Sequence, residues 1–165
     1  KGKPLDQHYG AGMVHIDNSL AILQQGPIPP GRVRQRVGWD FRAIGPTDKR
    51  TYRLRLPKDM GQASLMLVWH RRVDGRTARV RGTKRRLWLN RAGLADFDLK
   101  LVRLTPNGNE KTLAQSTSRI DNIEHIHQKT MPAGRYRIEV TRQNRQKNMN
   151  WQYALAWRIE PAKNK

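Results

Sequence analysis

Two stretches decide the fold: Leu94-Ala95-Asp96-Phe97-Asp98-Leu99-Lys100-Leu101-Val102-Arg103-Leu104 and Ala133-Gly134-Arg135-Tyr136-Arg137-Ile138-Glu139-Val140. In the first, Phe97, Leu99 and Leu101 alternate with Asp96, Asp98 and Lys100. In the second, Tyr136, Ile138 and Val140 alternate with Arg135, Arg137 and Glu139. A period of two puts apolar side chains on one face of a strand and polar ones on the other. Gly134 suits a tight turn entering the second strand. The residues between hold turn chemistry at Pro106-Asn107-Gly108-Asn109 and a polar loop at Ser116-Thr117-Ser118. Two half-buried strands joined this way describe one side of an antiparallel sandwich.

The same pattern extends outward. Val37-Gly38-Trp39-Asp40-Phe41 reads as a first strand with Trp39 and Phe41 on one face, and Gly45-Pro46-Thr47-Asp48 as a turn. Tyr52, Leu54 and Leu56 alternate with Arg53 and Arg55 up to Pro57. Ser64 to His70 is the most apolar run, a central strand with Leu65, Leu67 and Trp69 on one face. Beyond a polar hairpin loop at 144–150, Trp151, Tyr153, Leu155 and Trp157 share a face of the last strand. About eight short strands predict an all-β fold, an antiparallel jelly-roll-like β-sandwich preceded by one short helix. Trp39, Trp69, Phe97, Tyr136, Tyr153 and Trp157 are its expected core.

That helix lies near the N-terminus. Residues 1–12 read as a connector, and Met13 to Ile16 as a short extended piece. Asp17 is a suitable N-cap, the helix runs on to Gln25, and Gly26-Pro27 stops it. Two turns are too few to stand alone, so Leu20, Leu23 and Ile16 need something to dock on. Pro27-Ile28-Pro29-Pro30-Gly31 reads as an extended linker. The expected organisation is a 1–26 appendage, a 27–35 linker, a 36–160 sandwich and a 161–165 tail.

At 165 residues the chain has room for one domain with an appendage. No apolar run approaches membrane-spanning length. The absence of cysteine excludes disulfides and thiolate metal sites within the chain. The net charge of +20 favours polyanionic partners. Arg71, Arg72, Arg76, Arg79, Arg81, Lys84, Arg85, Arg86 and Arg91 face a single acid, Asp74, across residues 71–93. Charge this dense predicts an exposed loop, with Leu87-Trp88-Leu89 as an edge strand or flap. It is a polyanion-binding patch or a solvated insertion. No RNA-recognition sheet, zinc-finger spacing or helix-turn-helix accompanies it.

Three groups of residues are candidates for chemistry. Asp96, Asp98, Asp121, Asn122 and Glu124 form an oxygen-rich set of the kind that can hold calcium as a cofactor. Against this, Asp121 and Asn122 can instead bond their own backbone in a turn, and Asp96 and Asp98 can pair with arginines. His125 and His127 fall on one side of a strand, a geometry that can grip a metal, although hydrogen-bonded histidines are commoner. Ser116 and Ser118 have no base partner in the sequence, and there is no serine elbow, P-loop or dinucleotide fingerprint.

From Gly10 onward the residues resemble a known family. Gly10-Ala11-Gly12-Met13-Val14-His15-Ile16-Asp17-Asn18-Ser19-Leu20 is similar to the glycine-rich segment and helix that close the catalytic domain of subtilases, the subtilisin-like serine proteases. Six further segments resemble, in order, the β-sandwich many bacterial subtilases carry next. They are Gly38-Trp39-Asp40-Phe41, Leu67-Val68-Trp69-His70-Arg71, Leu94 to Leu101, Asp121-Asn122-Ile123-Glu124-His125-Ile126, Ala133-Gly134-Arg135-Tyr136 and Tyr153-Ala154-Leu155-Ala156-Trp157. The Asp-Ser/Thr-Gly, His-Gly-Thr and Gly-Thr-Ser-x-Ala segments that a subtilase needs for acyl transfer are not in the sequence. The resemblance therefore implies a non-catalytic C-terminal module of a secreted protease, whose partner is an upstream catalytic domain of the same polypeptide. The module would stabilise that domain or aid substrate and surface binding. The competing expectations are a free-standing protein that binds nucleic acid or acidic glycan, and a metal-dependent hydrolase built on His125 and His127.

Overall fold

The computed structural model describes residues 6, 8–10, 13–34, 36–105, 107–143 and 149–162. Most of the expected 1–12 connector, Pro106 of the 106–109 turn, the 144–150 loop up to 148 and the end of the 161–165 tail lie outside these residues. One helix, α1 (Ile16–Leu23), precedes β1 (Val33–Arg34), β2 (Val37–Ile44), β3 (Lys49–Leu56), β4 (Met60–Trp69), β5 (Arg72–Arg79) and β6 (Arg86–Gly93). β7 (Asp96–Leu104), β8 (Glu110–Ser116), β9 (Ile123–Gln128), β10 (Gly134–Gln143) and β11 (Trp151–Pro161) follow.

The fold is an all-β sandwich. One sheet has the order β2-β11-β4-β9; the other is β3-β10-β7-β8 with β1 added in parallel at the β3 edge. These eight strands, four per sheet with the chain crossing repeatedly between them, are the two interlocked Greek keys of a jelly roll. Among the described residues β5 and β6 pair with each other and with no other strand, as a separate antiparallel ribbon inserted between β4 and β7.

Strand alternation becomes packing. Leu65, Leu67 and Trp69 from β4, Phe97, Leu99 and Leu101 from β7, Tyr136, Ile138 and Val140 from β10, and Tyr153, Leu155 and Trp157 from β11 all face the space between the sheets. Phe97 bridges the layers, with ring centroids 4.9 Å from Trp69 and 5.8 Å from Tyr153. The tilted arrangement suits the quadrupoles of the rings.

Strand β2 reverses the expected face. Its inward positions are Gly38, Asp40 and Ile44, whereas Trp39 is half-buried and Phe41 is exposed on the outside. Close packing explains the reversal. A Cβ on Gly38 would stand 2.3 Å from Trp157 Cζ2 and 2.4 Å from Ile28 Cδ1, so these two side chains already fill the space. Trp39 instead supports α1, donating its indole Nε1–H to Leu23 O at 3.2 Å. A polar network offsets the cost of turning Asp40 inward: its Oδ2 accepts from Tyr52 OH at 2.9 Å and Arg42 Nε at 2.6 Å. The Tyr52 and Tyr153 hydroxyls stand 2.6 Å apart, which extends the network across both sheets.

The proline-rich stretch is built into the sandwich. Ile28 is a core residue, its N–H bonds Trp39 O at 2.7 Å, and the Gly31 N–H bonds Thr51 O at 2.9 Å. The helix starts earlier than expected, with His15 at the N-cap and Asp17 inside the first turn. It ends at Leu23, two residues short of the expected Gln25, and Gly26 closes the turn beyond it with φ 68° and its N–H donating to Leu23 O. No residue of α1 is fully buried; Ile16, Leu20 and Leu23 are exposed, and Asn18 and Ile22 are half-buried.

Candidate functional site

The acidic set comes from both sheets of the sandwich. Asp96 and Asp98 lie on β7, while Asp121, Asn122 and Glu124 lie at and just before β9. Among the described residues no three His, Asp or Glu side chains are grouped so as to hold one metal ion. Local hydrogen bonding is the reason. Asp121 Oδ2 accepts from Ser118 Oγ at 2.6 Å, and Asn122 Nδ2 donates to Trp69 O at 2.9 Å. Asp98 Oδ2 accepts from Gln143 Nε2 at 2.5 Å. Glu124 is 0% exposed, and its carboxylate accepts from Ser116 Oγ and from the Ser118 N–H at 2.5 Å. Burial pushes its pKa up to about 7; the two serine bonds oppose the rise, and the charges of Asp98 and Asp121 add to it.

Ser116 and Ser118 thus have a carboxylate partner that the sequence did not reveal. The cluster ties the rim of one sheet to the rim of the other. Of the two histidines, His125 Nε2 lies 3.0 Å from Ser64 Oγ, and His127 is exposed.

The basic segment is a formed hairpin. Arg71 precedes β5; Arg72, Arg76 and Arg79 lie on β5; Arg81, Lys84 and Arg85 form the tip; Arg86 and Arg91 lie on β6. The ladder pairs Arg79 with Arg86, Thr77 with Trp88, Arg76 with Leu89 and Gly75 with Asn90. The tip closes through Val80 N–H to Arg85 O at 3.0 Å, with Gly82 at φ 81°. At the base, Arg72 donates to Asn150 O at 3.3 Å and lies over the Trp151 ring, 5.4 Å from its centroid. None of the ion pairs among the described residues falls on the hairpin.

Directly paired residues share a face of an antiparallel ribbon. One face therefore carries Arg79, Arg86, Thr77, Trp88, Gly75 and Asn90. Trp88 is 73% exposed. A Cβ on Gly75 would stand 2.8 Å from Trp88 Cζ3, so the indole lies across the glycine backbone. The sequence signal was the spacing of Gly75 and Trp88, which becomes readable only once the hairpin register is known.

A second basic surface escaped the sequence reading. On the outer face of the β3–β10 pair, Arg53 stands opposite Arg137 and Arg55 opposite Arg135. Arg137 is held by Glu110 through bonds of 2.8 and 2.7 Å and by Glu139 at 2.6 Å. Arg55 and Arg135 have no ion pair among the described residues and line a concavity of about 1000 Å³ with Pro30 and Val33.

No helix among the described residues is long and apolar enough to cross a membrane. No family model and no curated protein matches the chain. Among solved structures it is similar to the Yersinia pseudotuberculosis-derived mitogen, at 12% identity and TM-score 0.40, covering 78% of this chain and 89% of that one. It is also similar to Salmonella Typhimurium PliG, a periplasmic inhibitor of g-type lysozyme, at 17% identity and TM-score 0.38, covering 79% and 99%.

Proposed function

We propose that this chain is a non-catalytic jelly-roll module that accompanies a subtilisin-like serine protease domain, stabilising it or aiding its contact with substrate or surface. The observation that carries this reading is α1. The segment most similar to the closing helix of a subtilase catalytic domain is a two-turn helix whose Ile16, Leu20 and Leu23 face solvent beside exposed Met13 and Val14. So short a helix gains little stability by itself, and an apolar side of this kind is satisfied by a second body. The test is the coding sequence upstream of the Lys1 codon, followed by amide exchange. The reading expects the three catalytic segments upstream, and α1 amides that exchange fast in this chain and slowly in the joined protein. An upstream sequence without those segments overturns it.

The β5–β6 hairpin favours a second reading, binding to a polyanion. This arginine-rich ribbon pairs with neither sheet and holds no ion pair among the described residues, which leaves its charge for an external anion.

A further inference from the structure

We infer that the Trp88 face of the hairpin is a binding site for single-stranded nucleic acid, in which an unpaired base stacks on the indole and the flanking phosphates are taken by Arg79, Arg86 and the cations of the tip. This rests on the polyanion reading of the hairpin and names its ligand.

Three observations converge on that face. The first is the pose of Trp88. The ring lies along the ribbon, with Gly75 supplying the space beneath it and the opposite ring face open. A large aromatic left exposed in this way loses apolar burial, but it offers a flat platform to a second ring. The second is the Arg79–Arg86 pair. Like charges directly across a ladder destabilise it, and Arg79 has no ion pair among the described residues, its Nε donating to the Thr83 carbonyl O at 3.3 Å. A bound phosphate between the two guanidinium groups reverses the sign of that interaction. The third is the choice of cation. Eight of the nine basic residues in 71–91 are arginine. Their planar forks grip phosphate oxygens in pairs and also stack on bases.

The open indole selects among polyanions. Bases in a duplex are already stacked on both faces and present no ring to Trp88, whereas an unpaired base does. A sulfated glycan satisfies the arginines by charge alone and draws less from the aromatic ring. The β3–β10 arginine surface has no exposed aromatic residue among its lining, so it has no comparable preference for bases.

The experiment measures binding of the whole chain to fluorescently labelled oligodeoxythymidylate, to a duplex of equal length and to heparin across a salt series. The inference expects the single strand to bind more tightly than the duplex. Trp88→Ala should weaken the single strand about tenfold with an unchanged salt slope, because one stacked base is lost and no phosphate contact. Trp88→Phe should recover most of the affinity. The Arg79→Gln/Arg86→Gln pair should flatten the slope of log K against log salt by about 1.4, two phosphate contacts at the single-strand value. Because Trp88 lies on the ribbon and outside the core, circular dichroism of the variants should match that of the parent chain. Equal affinity for single strand and duplex, or Trp88→Ala binding as tightly as the parent, overturns the nucleic-acid assignment while leaving polyanion binding in place. Failure to bind all three probes overturns both.

Discussion

Glu124 carries the most consequential ionisation in the molecule. Its carboxyl group is enclosed between Ser116 and Ser118, and its folded pKa of about 7 lies above the ordinary value of 4.5. A raised carboxyl pKa means the folded chain holds a proton that the unfolded chain releases. Stability from this group is therefore full below about pH 4.5, falls as pH rises towards 7, and levels off above it. The loss is on the order of 3 kcal/mol, since each tenfold change in a protonation equilibrium corresponds to about 1.4 kcal/mol. Denaturant unfolding across that window should show the decline, and Glu124→Gln should flatten it while remaining folded. An unchanged decline in the variant would assign the effect to another group. The sequence displayed Glu124 as one of a set of acids, and that much was legible. Its partners were not, because Ser116 reaches it from β8 of the opposite sheet and Ser118 from the β8–β9 connection, a meeting set by how the two edge strands dock and not by any periodicity.

Among the elements, legibility followed burial. β3, β4, β7, β10 and β11 each bury one face, and their period-two patterns predicted both strand and inward side. β2 was legible as a strand but not as a face, because a glycine and a buried aspartate occupy its inward positions and the large aromatics point outward. The β5–β6 ribbon hid more completely. It buries neither face, so its sequence carries charge without alternation and reads as a loop. That independence from the core predicts a clean deletion. Arg72 pairs directly with Gly93 at the base of the ribbon, so the chain ends flanking it are already adjacent. Replacing residues 72–93 with a short Asn-Gly turn should leave the far-ultraviolet spectrum of the sandwich intact. Oligonucleotide affinity should fall more than tenfold at moderate salt, through the lost phosphate contacts. Retained affinity would move the binding site to the Arg55–Arg135 surface.

At the scale of the whole molecule, excess charge and ion pairing make opposite demands on the solvent. The exposed ion pairs, such as Arg137 with Glu110 and Arg50 with Asp48, weaken as salt screens them. The net charge of +20 repels itself, and that penalty also shrinks with salt. Exposed pairs are each worth only about 0–1 kcal/mol, while the excess of positive over negative groups is large, so repulsion dominates. Added sodium chloride should raise the melting temperature, by roughly 2–4 °C for each kcal/mol of repulsion relieved. The segment 72–93 holds eight cations and one acid, so removing it leaves +13, and the deletion variant should gain less from salt than the parent. Sulfate at equal ionic strength should stabilise the parent further than chloride, since it both screens and is excluded from the surface. A melting temperature that falls with sodium chloride would mean that the ion pairs outweigh the repulsion, and that the basic surface is already neutralised within the fold instead of waiting for an external anion.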